Sequence, residues 1–362
     1  MDGAPAVTSL VNAHGSRDVI MKKMQEVTSR RQALQILSGG AFTIAFSSVH
    51  SGGAFAQEYP TKPVKLIVPY AAGGTTDVGA RILGVQLEKY FGKGFVVENK
   101  PGASARLGAA FVVQSPPDGY TLIWTVADPF AIIPHIFKDV PYDALKDIVP
   151  VAMVGSTPMS LVINPKVPAN SLAEFIKLAK AKPGSLTYGS WGVGSGAHIR
   201  TEAFKAAADV DLLHVPFQGS GPAFNALLGG HIDVMIVGAG LAAESHNAGK
   251  VKMLAVDTKE RYPDVPGVPT FAEQGLPLDL TFWNGVLAPA KTPVPVLEML
   301  NKAINQVIRE PEFQKAAAAA GLVVNAAGTG GTGVSLNEVK IFYDAEYKRW
   351  SDVIRKANIS VE

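Results

Sequence analysis

Short apolar runs alternate along this chain with longer stretches in which apolar positions recur every three or four residues. Val64-Lys65-Leu66-Ile67-Val68 has the length and branched content of a buried strand. Runs at 95–98, 120–124, 186–188, 212–217, 234–237 and 251–256 read the same way. The second kind predicts helices. Over 78–91 the residues Ile82, Leu83, Leu87, Tyr90 and Phe91 fall on one side. Further helices are expected from Ser171 to about 182, closed by Pro183-Gly184, and over 198–208. The last begins with Ser335-Leu336-Asn337-Glu338, a capping box. Its apolar side is Leu336, Val339, Phe342, Tyr343, Tyr347, Trp350, Val353 and Ile354. Strands alternating with helices give an α/β fold class.

Two strand-to-helix connections share one character. Tyr70-Ala71-Ala72-Gly73-Gly74-Thr75-Thr76 and Ser190-Trp191-Gly192-Val193-Gly194-Ser195-Gly196 are rich in Gly, Ser and Thr. A helix N-terminus presents N–H groups without intrahelical partners and a partial positive charge. Gly lets a ligand approach the backbone closely, and hydroxyls add donors. Such a loop can hold an anion without Lys or Arg. The plain alternative is that each loop is only a connector. Neither has the spacing of a dinucleotide fingerprint or of a phosphate-binding loop with its Lys. Neither Ser190 nor Ser195 sits in a nucleophile elbow.

Composition narrows the chemistry. The chain has 362 residues, enough for two domains. With no Cys, it has no disulfide, thiolate metal site or cysteine nucleophile. The first 56 residues hold five of the 33 basic and three of the 31 acidic residues, leaving 28 of each beyond them. A near-neutral body has no basic field for nucleic acid or a membrane surface, so an anion site must be local. No H-E-x-x-H or similar metal spacing occurs. The expectation is a protein with no enzyme activity and no cofactor.

The N-terminal stretch reads as an address. Arg30-Arg31 precedes a mildly apolar run from Ala33 to Phe46, followed by Ala54-Phe55-Ala56, an A-x-A cleavage pattern. Residues 1–56 are therefore expected to be an export signal, with Met21 or Met24 a candidate start. The paired arginines leave both the twin-arginine and the general export route open. The competing reading is an amphipathic helix of the folded domain. The mature chain is expected to begin near Gln57, to be soluble and to lie in the periplasm.

Several segments, in this order, resemble the substrate-binding proteins of tripartite tricarboxylate transporters, the Bug family. They are Ile67-Val68-Pro69-Tyr70-Ala71-Ala72-Gly73-Gly74 with Asp77 and Ala80-Arg81, Val97-Glu98-Asn99-Lys100-Pro101-Gly102-Ala103, and Pro117-Asp118-Gly119-Tyr120-Thr121-Leu122. Tyr188-Gly189-Ser190 with Gly192, Gly194-Ser195 and His198, then Val215-Pro216-Phe217, Leu254-Ala255-Val256 and Leu287-Ala288-Pro289-Ala290 complete the set. The resemblance covers about 59–362 and implies a type II periplasmic-binding fold. Two α/β lobes, 57–155 with 285–362 and 156–284, would close on a ligand cleft and be joined by crossover strands.

It also implies a monomeric receptor that captures a small carboxylate, aromatic or dicarboxylic, and delivers it to integral membrane permease subunits. The alternative is an exported receptor feeding a sensor system. The ligand-binding set implied is Tyr70, Ala71, Ala72, Gly73, Gly74, Thr75 and Thr76 at one end. At the other are Thr125, Val126 and Ala127 after Trp124, then Ser190, Trp191, Gly194, Ser195, His198, Phe217 and Asp233.

Some positions depart from the family pattern. Trp191 stands where a small residue is common, and Arg200 where a small or apolar one is usual. Arg106 and Phe217-Gln218 also differ. Trp191 could stack on a planar acid or act as a surface lid. Trp124 is read as partly core, with its tip toward the cleft as the other reading. Phe282 and Trp283 are expected to pack the hinge. His198 either donates to a carboxylate or positions its loop. Asp77 and Asp233 are read as structural in the first instance. Arg106 and Arg200 are expected at the surface, with pairing to a second carboxylate as the alternative.

Overall fold

The computed structural model describes residues 59–278, 280, 282–324, 334–356 and 359. The expected export signal lies outside the described residues. The chain builds two five-stranded sheets. In the first, β1 (Val64–Val68) lies between parallel neighbours β2 (Phe95–Asn99) and β3 (Thr121–Val126). The chain then enters β4 (Ile148–Thr157), the far edge of this sheet, and after Pro158 continues as β5 (Met159–Ile163) in the second. The second sheet runs β7 (Leu213–Pro216), β6 (Thr187–Ser190), β8 (Val234–Gly238), β5, β9 (Lys252–Val256). The chain returns to the first sheet as β10 (Phe282–Pro289), antiparallel to β3 and β4.

The helices are α1 (Thr75–Phe91), α2 (Arg106–Val113), α3 (Leu172–Ala181), α4 (Gly196–Ala208) and α5 (Ser220–Gly229). After them come α6 (Ala239–Asn247), α7 (Val294–Val307), α8 (Pro311–Ala319) and α9 (Leu336–Lys356). Sheets covered by helices on both faces are buried on both sides, which explains the nearly continuous apolar strands. Alternation is still visible. Val64, Leu66 and Val68 face one core with Leu83, Leu87, Leu300 and Ile304, while Ile67 faces another with Ile123, Phe130 and Tyr343. In the second sheet Leu161 and Ile163 pack with Phe175 and Phe204, and Val162 with Phe224 and Leu227. The expected capping box forms: Ser335 N donates to Glu338 Oε2 at 2.8 Å, and Glu338 N to Ser335 Oγ at 3.4 Å.

The two crossings lie side by side, because Phe282 pairs with Thr157 and Trp283 with Ser156. Trp283 is buried here, with its ring 6.4 Å from that of Tyr343. Asn284 Nδ2 donates to Thr157 Oγ1 at 2.9 Å across the pair of crossing strands. Trp124 is wholly core: it lies against Gly79 of α1 and is fully buried, so its tip does not reach a cleft. This is an α/β fold of two lobes joined by crossover strands.

Candidate functional site

The β1–α1 loop is built by a carboxylate that belongs to the helix itself. Gly73 adopts φ +83°, where a side chain would be strained, and its N–H donates to Asp77 Oδ2 at 2.9 Å. Arg81 Nη2 and Asn99 Nδ2 each donate to Asp77 Oδ1 at 2.9 Å. Asn99 Nδ2 also reaches Tyr70 O at 3.0 Å. Burial alone would push the Asp77 carboxyl up, but the hydrogen bonds from Arg81, Gly73 and Asn99 outweigh it and hold it below the usual carboxylate range. Asp77 thus folds the loop and does not confront an anion.

Seven consecutive residues of this loop, Tyr70 to Thr76, line a cavity of about 150 Å³ between the two sheets. Thr157 and Met159 contribute from the crossing strand, and Val237 and Gly238 from the end of β8. Gly219, Ser220, Gly221 and Pro222 close it from the second lobe. Trp191 supplies the remaining wall. No Lys, Arg, His, Asp or Glu is in the lining. The first turns of α1 and α5 both border the cavity, so the positive ends of two helices bring the polarity that charged side chains do not.

The sequence placed the second grip at Ser190–His198, and the structure brings only Trp191 of that loop to the cavity. The other polar groups are spent internally. Ser195 Oγ caps α4 by accepting from His198 N, and His198 Nδ1 accepts from Gly194 N at 3.0 Å. Ser190 Oγ bonds Gly192 and lies 2.6 Å from His214 Nε2. Ser190, Gly194, Ser195 and His198 therefore shape the loop from behind. Thr125, Val126 and Ala127 are fully buried at the end of β3 and do not line the cavity either. Phe217 is tied through its N–H to Ser190 O at 2.9 Å, beside the cavity and not in its wall. Asp233 Oδ2 accepts from Thr187 N and Oγ1 at 2.7 and 2.8 Å. It sits before β8, at the sheet end away from the cavity, because Tyr188 pairs in parallel with Val234.

Gly219-Ser220-Gly221 was the overlooked segment. Its signal was present: a strand, then glycines and a hydroxyl, then a helix, the same grammar as the other two loops.

Arg200 corrects a further expectation. It is fully buried, not at the surface. Its Nη1 lies 3.7 Å from Oδ1 of Asp128, and its Nε donates to Leu280 O at 2.7 Å. Asp128 Oδ2 accepts from Gly196 N at 2.8 Å, Tyr70 OH at 3.2 Å and Trp191 Nε1 at 3.3 Å. A side chain at Gly196 would collide with this pair, its Cβ falling 2.3 Å from both Asp128 Oδ1 and Arg200 Nη1. Burial pushes Asp128 up and Arg200 down to about 10, each opposed by the partner's charge. Arg106 is half-buried, its guanidinium 4.0 Å over the Phe137 ring.

His198 and His214 stack behind the Trp191 loop with ring centres 4.1 Å apart, and Tyr188 stacks on His214 at 4.7 Å. Glu202, bonded by Tyr188 OH and by Lys205, is the nearby acid. Burial, then the neighbouring His198 and Lys205, push His214 down to about 3. His214 is thus neutral when folded but protonates at its ordinary value of about 6.5 when unfolded. Its contribution is complete above that value and is lost as pH falls toward 3. We expect melting temperature to fall from pH 7 to pH 4, and to fall less steeply in His214→Gln. Equal slopes in scanning calorimetry would contradict this.

Comparison with known proteins agrees with this architecture. Residues 79–359 match the model of the TctC family, described as the tripartite tricarboxylate transporter family receptor. Protein BugT of Bordetella pertussis is 34% identical over 309 residues, 85% of this chain and 93% of that protein. Among solved structures, R. palustris Rpa4515 with adipate is 30% identical with a TM-score of 0.78, covering 84% of this chain and 100% of that one. MatC (Rpa3494) from Rhodopseudomonas palustris with bound malate is 31% identical with a TM-score of 0.76, covering 82% and 100%. With matches of this extent, and with the fold and cleft already in place, the chain belongs to the tripartite tricarboxylate transporter receptor family.

Proposed function

We propose that this protein is an exported, periplasmic receptor that holds a small carboxylate in the cavity at the start of α1 and delivers it to integral membrane permease subunits. In this reading 57–155 with 285–362 and 156–284 are the two closing lobes. The observation that carries it is the uncharged cavity bordered by two helix N-termini, one from each lobe. A carboxylate seated there receives backbone N–H groups and the partial positive charge of α1. Hydrogen bonds to a charged group contribute about 1.5–3 kcal/mol each, so a few suffice for the roughly −8 kcal/mol of a micromolar site. The neighbours bound to adipate and malate support a carboxylate ligand. Among the described residues no helix is long and apolar enough to cross a membrane, and no cluster of metal-binding side chains is present.

A thermal-shift panel of mono-, di- and tricarboxylates tests this. At a hundredfold excess over Kd, a true ligand stabilises the fold by about 2.7 kcal/mol, a clear rise in melting temperature. If none of the panel shifts the transition, the carboxylate reading fails.

A further inference from the structure

We infer that Asp128 and Arg200 fix Trp191 in the wall of the cavity and so restrict this receptor to compact monocarboxylates with an apolar, ring-sized body. The inference rests on the reading of the cavity as a carboxylate site. Its starting point is the first turn of α4. That helix terminus, like those of α1 and α5, offers N–H groups to an anion. Here the anion is supplied by the protein. The wholly buried Asp128 carboxylate accepts from Gly196 N at 2.8 Å, and the buried Arg200 guanidinium lies beside its other oxygen. A ligand carboxylate directed behind Trp191 would find this helix terminus and the Arg200 guanidinium already engaged. It would also face a like charge.

The same Asp128 oxygen holds the Trp191 indole N–H at 3.3 Å and the Tyr70 hydroxyl at 3.2 Å. Tyr70 and Trp191 both line the cavity, so the pair locks one wall from outside. Arg200 is in turn braced by Leu280 O and by the Trp350 ring, 4.7 Å from its guanidinium. Besides the α1 loop, the lining includes the apolar side chains of Met159, Trp191, Pro222 and Val237, with Thr157 and Ser220. These walls accept an uncharged body; at the start of α5 only Ser220 and Gly221 keep a backbone N–H, since Pro222 has none, and without a cation beside them a second carboxylate is held less well there than at α1. The space of about 150 Å³ equals that of an engineered protein cavity that takes benzene. The indole face suits a planar ring, packed in offset or edge-on contact.

The test is calorimetric titration of the mature protein with benzoate, cyclohexanecarboxylate, malate and adipate. The wild type is expected to bind benzoate at least about tenfold more tightly than either dicarboxylate. In Trp191→Ser, which leaves the Asp128–Arg200 pair intact, benzoate weakens by about tenfold and the preference over adipate collapses. Asp128→Asn with Trp191 in place is expected to lower the benzoate-to-adipate ratio as well, by loosening the hold on the indole and removing the like charge, and an unchanged ratio overturns its positioning role. Asp128 acts as a positioning residue, so the readout is the benzoate-to-adipate ratio, which a purely structural role would leave unchanged. A wild type that binds malate or adipate as well as benzoate overturns the inference while leaving the receptor reading intact. An unchanged ratio in Trp191→Ser overturns the role of the wall. Binding of no carboxylate overturns both readings together.

Discussion

Replacing Arg200 with leucine lowers the free energy of unfolding by about 3–5 kcal/mol, the range for removing one partner of a buried ion pair. The cause is what the substitution leaves behind. Asp128 is fully buried, and its charge is balanced by Arg200 and by three donors from two loops, Tyr70 in one and Trp191 and Gly196 in the other. With the guanidinium gone, the carboxylate must either stay charged in an apolar setting or take up a proton. The loss therefore depends on pH. Burial already raises Asp128 above its ordinary value in the folded state. A group so shifted contributes stability below the unfolded value of about 3.9, and that contribution is lost as pH rises through the folded value. The deficit of Arg200→Leu relative to wild type should thus be larger at pH 8 than at pH 4.5. Asp128→Leu with Arg200→Leu should recover much of the loss, because an apolar pair needs no compensation. Urea unfolding of the wild type and the two variants measures this. A single-variant deficit below about 1 kcal/mol, the size of an exposed pair, would mean the charges are solvated.

The sequence carried the architecture because the architecture is written in local patterns. The run Val64–Val68, the glycines after it, the Pro183-Gly184 stop and the Ser335–Glu338 box each specify a local conformation by their own chemistry. The first cavity loop was legible for the same reason, since Gly73 and Asp77 are four residues apart and build the loop between them. The second side was not, because its use depends on distant partners. Ser190–His198 has the composition of an anion loop, but His214 and the loop's own backbone absorb Ser190 and His198. Arg200 sits beside Thr201 and Glu202 on a helix and looks exposed by pattern, yet Asp128 of the other lobe draws it inside. Gly219–Pro222 follows the strand that the 212–217 run announced, but its place at the cavity depends on β4, β5 and the end of β8, which are distant in sequence.

Proline at position 75 should abolish most binding while leaving the fold intact. Thr75 is the first residue of α1, where proline's missing N–H breaks no intrahelical bond and its fixed φ suits the helix. The preceding Gly74, at φ −82° and ψ 166°, already has the extended conformation that proline requires before it. Stability should therefore change by no more than about 1 kcal/mol. What Thr75→Pro removes at the cavity is one backbone N–H and the Thr hydroxyl. Thr75→Val removes only the hydroxyl and serves as its control. Loss of one N–H to a carboxylate costs about 1.5–3 kcal/mol, so affinity falls roughly ten- to a hundredfold. The measurement is calorimetric titration of wild type, Thr75→Val and Thr75→Pro with the tightest-binding carboxylate of the panel. Capture by the backbone of α1 predicts near-native affinity for Thr75→Val and a loss of that size for a fully folded Thr75→Pro. Native affinity in Thr75→Pro would contradict it.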